Sequence, residues 1–335
     1  MKPSFRTRVR LEEHHRIAMS DPAILREPVT NIIYDPGDAP EKQWIGRMTE
    51  KLGDWRAVSR SAYIRWALII NAAHVSEGYY KALPKDRALI VHAARGMDGE
   101  LYQTPMKQYD GPTAAGAYRE IIPTIAGYAI ADLYGVLEEI IFDAYEIFLS
   151  HSPAPLMEGA EYRDLRRLYA RRNESEGDRE AWETAWSQRF DHWRRKRTYD
   201  PLHRVFVGFF NTAALKRPSE YVLTDLSDWA RTIETVAELR HLLTHGEGTV
   251  NAKLAELCAN DPSLVWVFKE GEELKPTLFH LQAVEYFIEQ LLTTLNTSLV
   301  EKGWGRTMKS IRTSFEAQDK AARTATQAKP ATPAQ

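Results

Sequence analysis

Two residue types suited to phosphodiester chemistry, an arginine and a histidine, stand close together in residues 238–251. This segment reads Glu-Leu-Arg-His-Leu-Leu-Thr-His-Gly-Glu-Gly-Thr-Val-Asn and contains Arg240 and His245. A histidine transfers protons near neutral pH because its unperturbed pKa is about 6.5. An arginine stays charged, and its planar guanidinium donates paired hydrogen bonds to phosphate oxygens. Metal-free cleavage of RNA needs both, because the 2′-hydroxyl loses a proton, the phosphorane is stabilised and the 5′-oxygen gains a proton.

The spacing of these two residues sets a geometric condition. Positions five apart lie roughly 140° from each other around a regular α-helix, at about 100° per residue. Arg240 and His245 therefore converge poorly on one substrate within a single turn. The length of the arginine side chain and the helix end expected at Gly246 partly relieve this difficulty, since glycine commonly ends a helix.

The order of residues in this segment resembles the signature of the HEPN superfamily. The signature is an arginine, a polar residue, three further residues and a His-Gly pair. Here these are Arg240, His241 and the pair at 245–246, followed by a glycine turn and Val-Asn at 250–251. HEPN domains are helical bundles, and many are metal-independent RNA endonucleases. The resemblance covers only the C-terminal part of the chain and gives no role to residues 1–115.

The resemblance implies a site shared between two copies of the chain. HEPN domains dimerise so that two motif helices face each other across one composite cleft. Arg240 and His245 of both protomers would line that cleft as catalytic residues. His241, Thr244 and Glu238 would support them, with His241 orienting the phosphate or its neighbours.

The function implied is that of an endoribonuclease that cuts RNA by attack of the 2′-hydroxyl, leaving a 2′,3′-cyclic phosphate and a 5′-hydroxyl. Members of the family often act as toxins or as effectors of antiviral defence, so we expect control by a regulatory partner or antitoxin. The alternative is a non-catalytic helical scaffold that dimerises and binds a partner protein or a nucleotide. Retention of both Arg240 and His245 favours the enzyme, because a scaffold has no chemical need for the pair.

Structural roles are also open to the same residues. An exposed helical arginine such as Arg240 often pairs with a nearby carboxylate, here Glu234 or Glu238. A histidine near a helix C-terminus, such as His245, is favourably placed against the helix dipole. Each residue taken alone fits these roles; the whole order of the motif favours the catalytic one.

A metal site is a further interpretation of the histidines. Glu238 and His241 have the i, i+3 spacing of di-iron carboxylate bundles, and His241 and His245 have an i, i+4 spacing. A di-iron site requires a second Glu-x-x-His, and the only other one begins at Glu12. Carboxylates at 138–139 have no histidine at the required spacing. We therefore expect no metal and no other cofactor.

A second cationic group, Arg194, Arg195, Lys196 and Arg197, closes a helix that also carries Trp186 and Trp193. The cations could follow an RNA backbone while a tryptophan stacks on a base. A solvated helix end with its tryptophans packed inward fits the same pattern and is favoured. The packing role is therefore the favoured interpretation, and RNA binding by this group is the alternative.

Composition limits the remaining classes of protein. There are 44 Lys and Arg against 46 Asp and Glu, so the net charge of −2 provides no global attraction to nucleic acid. One cysteine, Cys258, excludes a disulfide framework. No apolar run approaches the roughly 20 residues that span a bilayer. We expect a cytoplasmic protein that binds no membrane.

Helical periodicity dominates the chain. Longer helices are predicted over 59–83, 117–150 with a bend at Pro123, 174–198, 201–215, 219–245 and 277–302. Short helices are predicted over 85–94 and 250–259, a loop over 96–112, and a β-hairpin of 264–268 with 269–274 around Gly271. Residues 163–172 are rich in arginine.

These elements predict an all-α fold, a helical bundle of HEPN type with a helical N-terminal extension and a small β-hairpin insertion. Residues 1–115 would form the extension, of unknown role. Residues 116–302 would form the bundle, and residues 303–335 a largely disordered tail, because the last of them are rich in Ala, Thr, Gln, Lys and Pro.

Overall fold

A computed structural model describes residues 31–197, 199–221, 224–261, 264 and 266–314. These residues are mostly helical and include one two-stranded sheet, which confirms the all-α class. The second Glu-x-x-His, which begins at Glu12, lies outside the described residues. So do Leu223, which the periodicity places on the motif helix, and the end of the predicted tail, 315–335.

Two long helices, α1 (Gln43–Lys81) and α2 (Gly111–His151), pack against each other over most of their length. Trp55 Nε1 donates to Asp143 Oδ2 over 3.1 Å, Trp66 Nε1 to Asp132 Oδ2 over 2.7 Å, and Arg119 pairs with Glu77. Partners on α2 move backward as α1 advances, so the helices are antiparallel. The α2 helix continues through Pro123.

Six further helices complete the described bundle: α3 (Arg163–Arg171), α4 (Glu176–Arg197), α5 (Leu202–Thr212), α6 (Leu226–Thr244), α7 (Ala252–Asn260) and α8 (Leu278–Trp304). All of them except α3 match helices predicted from the sequence; α3 lies in the arginine-rich segment, for which no helix was predicted. One continuous core joins α2, α5, α6 and α8, and it includes Met48 and Leu52 of α1. The helical N-terminal segment is therefore packed onto the bundle and shares its core.

The β-hairpin lies in a different place from the one predicted. Strands β1 (Leu89–Met97) and β2 (Glu100–Tyr109) form an antiparallel ribbon, so a helix over 85–94 and a loop over 96–112 are wrong. Asp98 and Gly99 link the strands with φ values of 54° and 81°. Both positive angles are typical of a type I′ turn, which Asp-Gly favours strongly. This local turn chemistry outweighs the helical pattern of the preceding residues.

The hairpin predicted around Gly271 is also wrong. Described residues between 264 and 274 contain no strand, and only an isolated bridge joins Glu273 to Thr249. Leu264, Trp266 and Phe268 are buried, which explains their alternating pattern. The turn that follows them pairs with the segment after α6, so it does not fold back on its own strand.

Buried charge lies between α1 and α8. Arg56 Nε is 2.7 Å from Glu289 Oε1, and Arg60 Nη2 is 3.2 Å from the same oxygen. Burial, helped by the charge of Glu289, raises the pKa of nearby Glu285 to about 7, although Arg60 opposes this. Glu285 therefore stays largely protonated in mildly acidic solution.

The end of the described chain continues past α8. Gly305, with a φ of 64°, ends that helix. Residues 308–314 are helical again, and Met308 and Ile311 are buried against Val300. Across the described ranges, no helix has the length and apolar character needed to cross a membrane.

Candidate active site

Helix α6 carries the motif and is fixed at its start by a capping box. The Asp225 side chain accepts from the backbone N–H groups of Ser227 and Asp228, and Asp228 accepts from the Asp225 N–H in return. Ile233, Val236 and Leu239 of this helix are fully buried. This apolar face anchors the helix in the core and turns its opposite face outward.

The outward face ends in the predicted site residues. Arg240, His241, Thr244 and His245 are all exposed. The rings of His241 and His245 lie one above the other, with centroids 4.4 Å apart and planes inclined by 57°. The Thr244 hydroxyl donates to the carbonyl of Arg240 over 2.9 Å, so it is used within the helix. The structure thus brings both histidines together at one helix end.

A glycine turn ends α6 immediately after His245. The Gly246 N–H donates to Leu243 O over 3.3 Å, and the Glu247 N–H donates to Leu242 O over 2.9 Å. These two bonds and the φ of +71° at Gly246 define a Schellman motif. His245 is therefore the C-cap residue, one position past Thr244, the last residue of α6.

The segment after the turn is held by the chain around Gly271. Val250 N–H donates to Glu272 O, Gly271 N–H to Val250 O, and Leu274 N–H to Gly248 O, each over 2.9 Å. These backbone bonds leave the glycine turn little freedom to rearrange. The position of His245 is thus fixed from both sides, by α6 before it and by this pairing after it.

Glu238 lies on the same side of α6 as His241 and His245, three and seven residues before them, and it has a structural role. Its carboxylate is buried, accepts from Asn251 Nδ2 over 2.8 Å and pairs with Lys253 Nζ over 2.7 Å. Burial of the carboxyl opposes ionisation, but these two partners outweigh it, and the pKa of Glu238 is lowered. Asn251 also accepts from the Leu254 N–H and so caps α7. The motif asparagine therefore joins α7 to the motif helix.

Helix α2 supplies two neighbours of Arg240, Tyr134 and Glu138. The Arg240 guanidinium carbon lies 5.6 Å from the centroid of the Tyr134 ring. Burial, together with the charge of Glu138, raises the pKa of Tyr134 to about 12, against the opposing charge of Arg240. Burial likewise raises the pKa of Glu138, and Arg240 opposes the rise. A phenol and a half-buried carboxyl thus flank the arginine.

Close packing of α2 on α6 makes this arrangement possible. A Cβ atom added at Gly127 would lie 3.0 Å from Leu243 Cδ2, so the glycine lets the two helices approach. Helical periodicity could not assign Tyr134 and Glu138 to the site, because it does not show which face of α2 meets α6. The only feature of the sequence that drew attention to this part of α2 is Leu-Glu-Glu at 137–139. That sequence is not specific enough to identify a site.

Arg240 lies against the Tyr134 ring and forms no ion pair within the described part of the chain. Glu238, one of the two partners considered from the sequence, is bound to Lys253 instead. The guanidinium is therefore available to an anionic ligand at the surface.

The second cationic group is largely engaged in the fold. Arg194 pairs with Glu139 over 2.9 Å and with Glu146 over 3.5 Å, and Arg197 pairs with Asp200 over 2.7 Å. Trp193 is buried, and its ring centroid is 4.8 Å from that of Tyr145. Arg195 and Lys196 remain exposed. The contacts match the packing role that the sequence favoured for these residues.

The described residues contain no group of three or more His, Cys, Asp or Glu side chains that could hold a metal ion. The carboxylate of the Glu238–His241 pair is already occupied by Asn251 and Lys253. The candidate site thus consists of the His241–His245 pair and, on another side of the same helix end, Arg240 with a phenol and a carboxyl beside it.

Comparisons of the chain with protein-family models, with curated proteins and with solved structures gave no match.

Proposed function

We propose that the protein is a metal-independent endoribonuclease of HEPN type, with its site at the C-terminal end of α6. One observation carries this proposal: Arg240, His241 and His245 are exposed together at a rigidly capped helix end, and Arg240 lacks an ion pair within the described residues. Arg240 lies against a tyrosine ring and not against a carboxylate. A surface cation and two histidines at one helix end suit a phosphodiester.

The proposed reaction is an internal transesterification. His245 accepts the proton of the 2′-hydroxyl as the 2′-oxygen attacks phosphorus. Arg240 donates hydrogen bonds to the phosphate oxygens and stabilises the added negative charge. The bond from phosphorus to the 5′-oxygen breaks, and that oxygen takes a proton from a second histidine, which is protonated at the start. Proton exchange with solvent then returns both histidines to their starting states. The products are a 2′,3′-cyclic phosphate and a 5′-hydroxyl, and no atom is left unaccounted for.

A second copy of the chain would complete this site. Arg240 and His245 lie roughly 140° apart around one helix, so one copy presents them in different directions. Two helix ends placed face to face would offer an arginine and histidines from both sides. Tyr134, in contact with Arg240, would limit the positions open to the guanidinium. A regulatory partner or antitoxin would act by covering this exposed end.

The proposal is tested by cleavage of total RNA and transfer RNA in excess EDTA. We expect His245→Ala and Arg240→Ala to lower the cleavage rate at least about 100-fold, as is usual when a general base or a charge-stabilising donor is removed. His192→Ala is the matched control, since His192 is also an exposed helical histidine, on α4. On expression, the wild type and His192→Ala should be toxic, and His245→Ala and Arg240→Ala should not.

Two results would contradict the proposal. Equal cleavage by wild type and His245→Ala would place any nuclease activity elsewhere or in a contaminant. A folded protein that cuts no RNA with any candidate partner present would favour the scaffold instead. Circular dichroism of each variant separates loss of activity from loss of fold.

A further inference from the structure

Exposed apolar side chains are concentrated in one part of the molecule. Twelve of the sixteen large hydrophobic residues that are exposed in the described chain lie between residues 64 and 128. We call this part the arm; it consists of the end of α1, the β1–β2 ribbon and the start of α2. A contiguous patch of exposed apolar side chains marks an interaction site, whereas single exposed apolar residues scattered over a surface do not.

The bundle leaves the arm uncovered because its flanking helices stop at the base of the arm. Helix α8 starts at Leu278, and its Gln282 contacts Tyr63 of α1. Helix α6 ends at Thr244, where Leu243 packs on Gly127. In the ribbon beyond, Leu101 is 82% exposed. A two-stranded ribbon alone is only marginally stable in water, so a covering surface would stabilise it.

One face of α1 within the arm carries a regular apolar stripe. Ile64, Leu68, Val75 and Tyr79 are 53%, 62%, 56% and 65% exposed. At about 100° per residue they fall within roughly 60° of each other around the helix. They lie opposite the buried Ile70, which is turned inward. This stripe therefore points away from the core and is the apolar face of a helix with no helix against it in the described chain.

The stripe has the same spacing in both directions: its members are separated by four, seven and four residues. Two antiparallel copies of α1 would pair Ile64 with Tyr79 and Leu68 with Val75, twice each. Such reciprocal pairing is what a two-fold symmetric interface requires. The symmetry axis would pass beside Asn71, which is exposed between the two halves of the stripe. A single polar residue in such a seam fixes its register.

We infer that the arm is a self-association surface, in which α1 of one chain packs antiparallel on α1 of a second copy. This inference does not rest on the proposed nuclease activity. The stripe faces away from α2, whereas the motif helix α6 packs on α2, so the contact is separate from the pairing of motif ends. If both contacts form with perpendicular, intersecting two-fold axes, they close into an assembly of four chains.

Sedimentation velocity of the full chain at micromolar concentration tests this interface. Leu68→Glu places a carboxylate in the seam opposite Val75, and we expect it to weaken self-association at least about tenfold and halve the assembly mass. Val58→Glu is the matched control, because Val58 is 55% exposed on α1 but outside the arm. It should leave the mass unchanged. The double variant Leu68→Glu/Val75→Lys should restore association, because the register places the introduced carboxylate opposite the introduced ammonium group.

Asn71→Cys tests the register directly. The only natural cysteine, Cys258, is buried, so background cross-linking should be low. Mild oxidation should link two Asn71→Cys chains covalently, and Val58→Cys chains should stay single. A monomeric wild type, a mass unaffected by Leu68→Glu, or no cross-link between Asn71→Cys chains would each overturn the inference. RNA cleavage is measured separately, so failure of this interface and failure of the nuclease proposal are distinguishable.

Discussion

Replacing Gly246 by alanine should destabilise the protein by about 1 kcal/mol, through the backbone alone. Gly246 has a φ of +71°, and an added Cβ atom would meet no atom within 4 Å. A left-handed conformation costs an L-residue roughly 1–2 kcal/mol, and part of this is offset because alanine restricts the unfolded chain. No contact with the rest of the protein adds to this cost. The cost therefore measures the turn that holds His245 at the end of α6.

Gly248→Ala is the matched control for this effect. Gly248 also has nothing within 4 Å of an added Cβ, but its φ is outside the left-handed region. Its substitution should be neutral or stabilise by up to about 1 kcal/mol, because the unfolded chain loses freedom. Both glycines are exposed, lie in the same motif and receive the same methyl group. Their difference of about 1–2 kcal/mol thus isolates the left-handed position.

Urea unfolding followed by circular dichroism measures the two variants. With a slope of about 3 kcal/mol per molar urea, a loss of about 1 kcal/mol lowers the midpoint by about 0.3 M. The Gly246→Ala midpoint should fall by this amount and the Gly248→Ala midpoint should not. Equal midpoints, or a larger fall for Gly248→Ala, would refute the role assigned to Gly246 in ending the helix.

Three further predictions concern charge. Glu238→Ala should lower the free energy of unfolding by about 2–3 kcal/mol, since Asn251 and Lys253 lose their acceptor; urea midpoints check this. Burial raises the pKa of Glu285 to about 7, so the free energy of unfolding falls as pH rises from about 4.5 to 7 and the buried carboxyl must ionise. Glu285→Gln should therefore be more stable than wild type at about pH 8, by up to about 3 kcal/mol, and equal at about pH 4; a wild-type advantage at the higher pH would contradict the burial argument. Arg240→Lys should cut RNA at least about tenfold more slowly, because lysine lacks the planar fork; cleavage rates at saturating RNA decide.

Much of the fold follows from the sequence because burial imposes a helical period. The apolar residues of α2, α6 and α8 recur every three to four positions, and the structure buries those faces in one core. The end of α6 was also predictable, because glycine at 246 adopts the left-handed conformation that a Schellman turn requires. In both cases residues close together in the sequence were enough to predict the structure.

Contacts between distant segments were not predictable in the same way. The turn at Gly271 pairs with residues 248–250, and nothing local in either segment specifies this partner. Tyr134 reaches Arg240 only because α2 and α6 approach closely at Gly127. The ribbon was predictable in principle, since Asp98-Gly99 is a strong hairpin signal between β-branched and aromatic residues.

The most direct test of the central claim is the chemistry of the RNA ends that the purified protein produces in excess EDTA. Mass spectrometry of a short RNA after cleavage identifies both ends of each fragment. Attack by the 2′-hydroxyl predicts a 2′,3′-cyclic phosphate and a 5′-hydroxyl, with no cutting of an RNA whose target residue is 2′-deoxy. A 3′-hydroxyl with a 5′-phosphate, or cleavage that returns only when a divalent metal is added, would contradict the account.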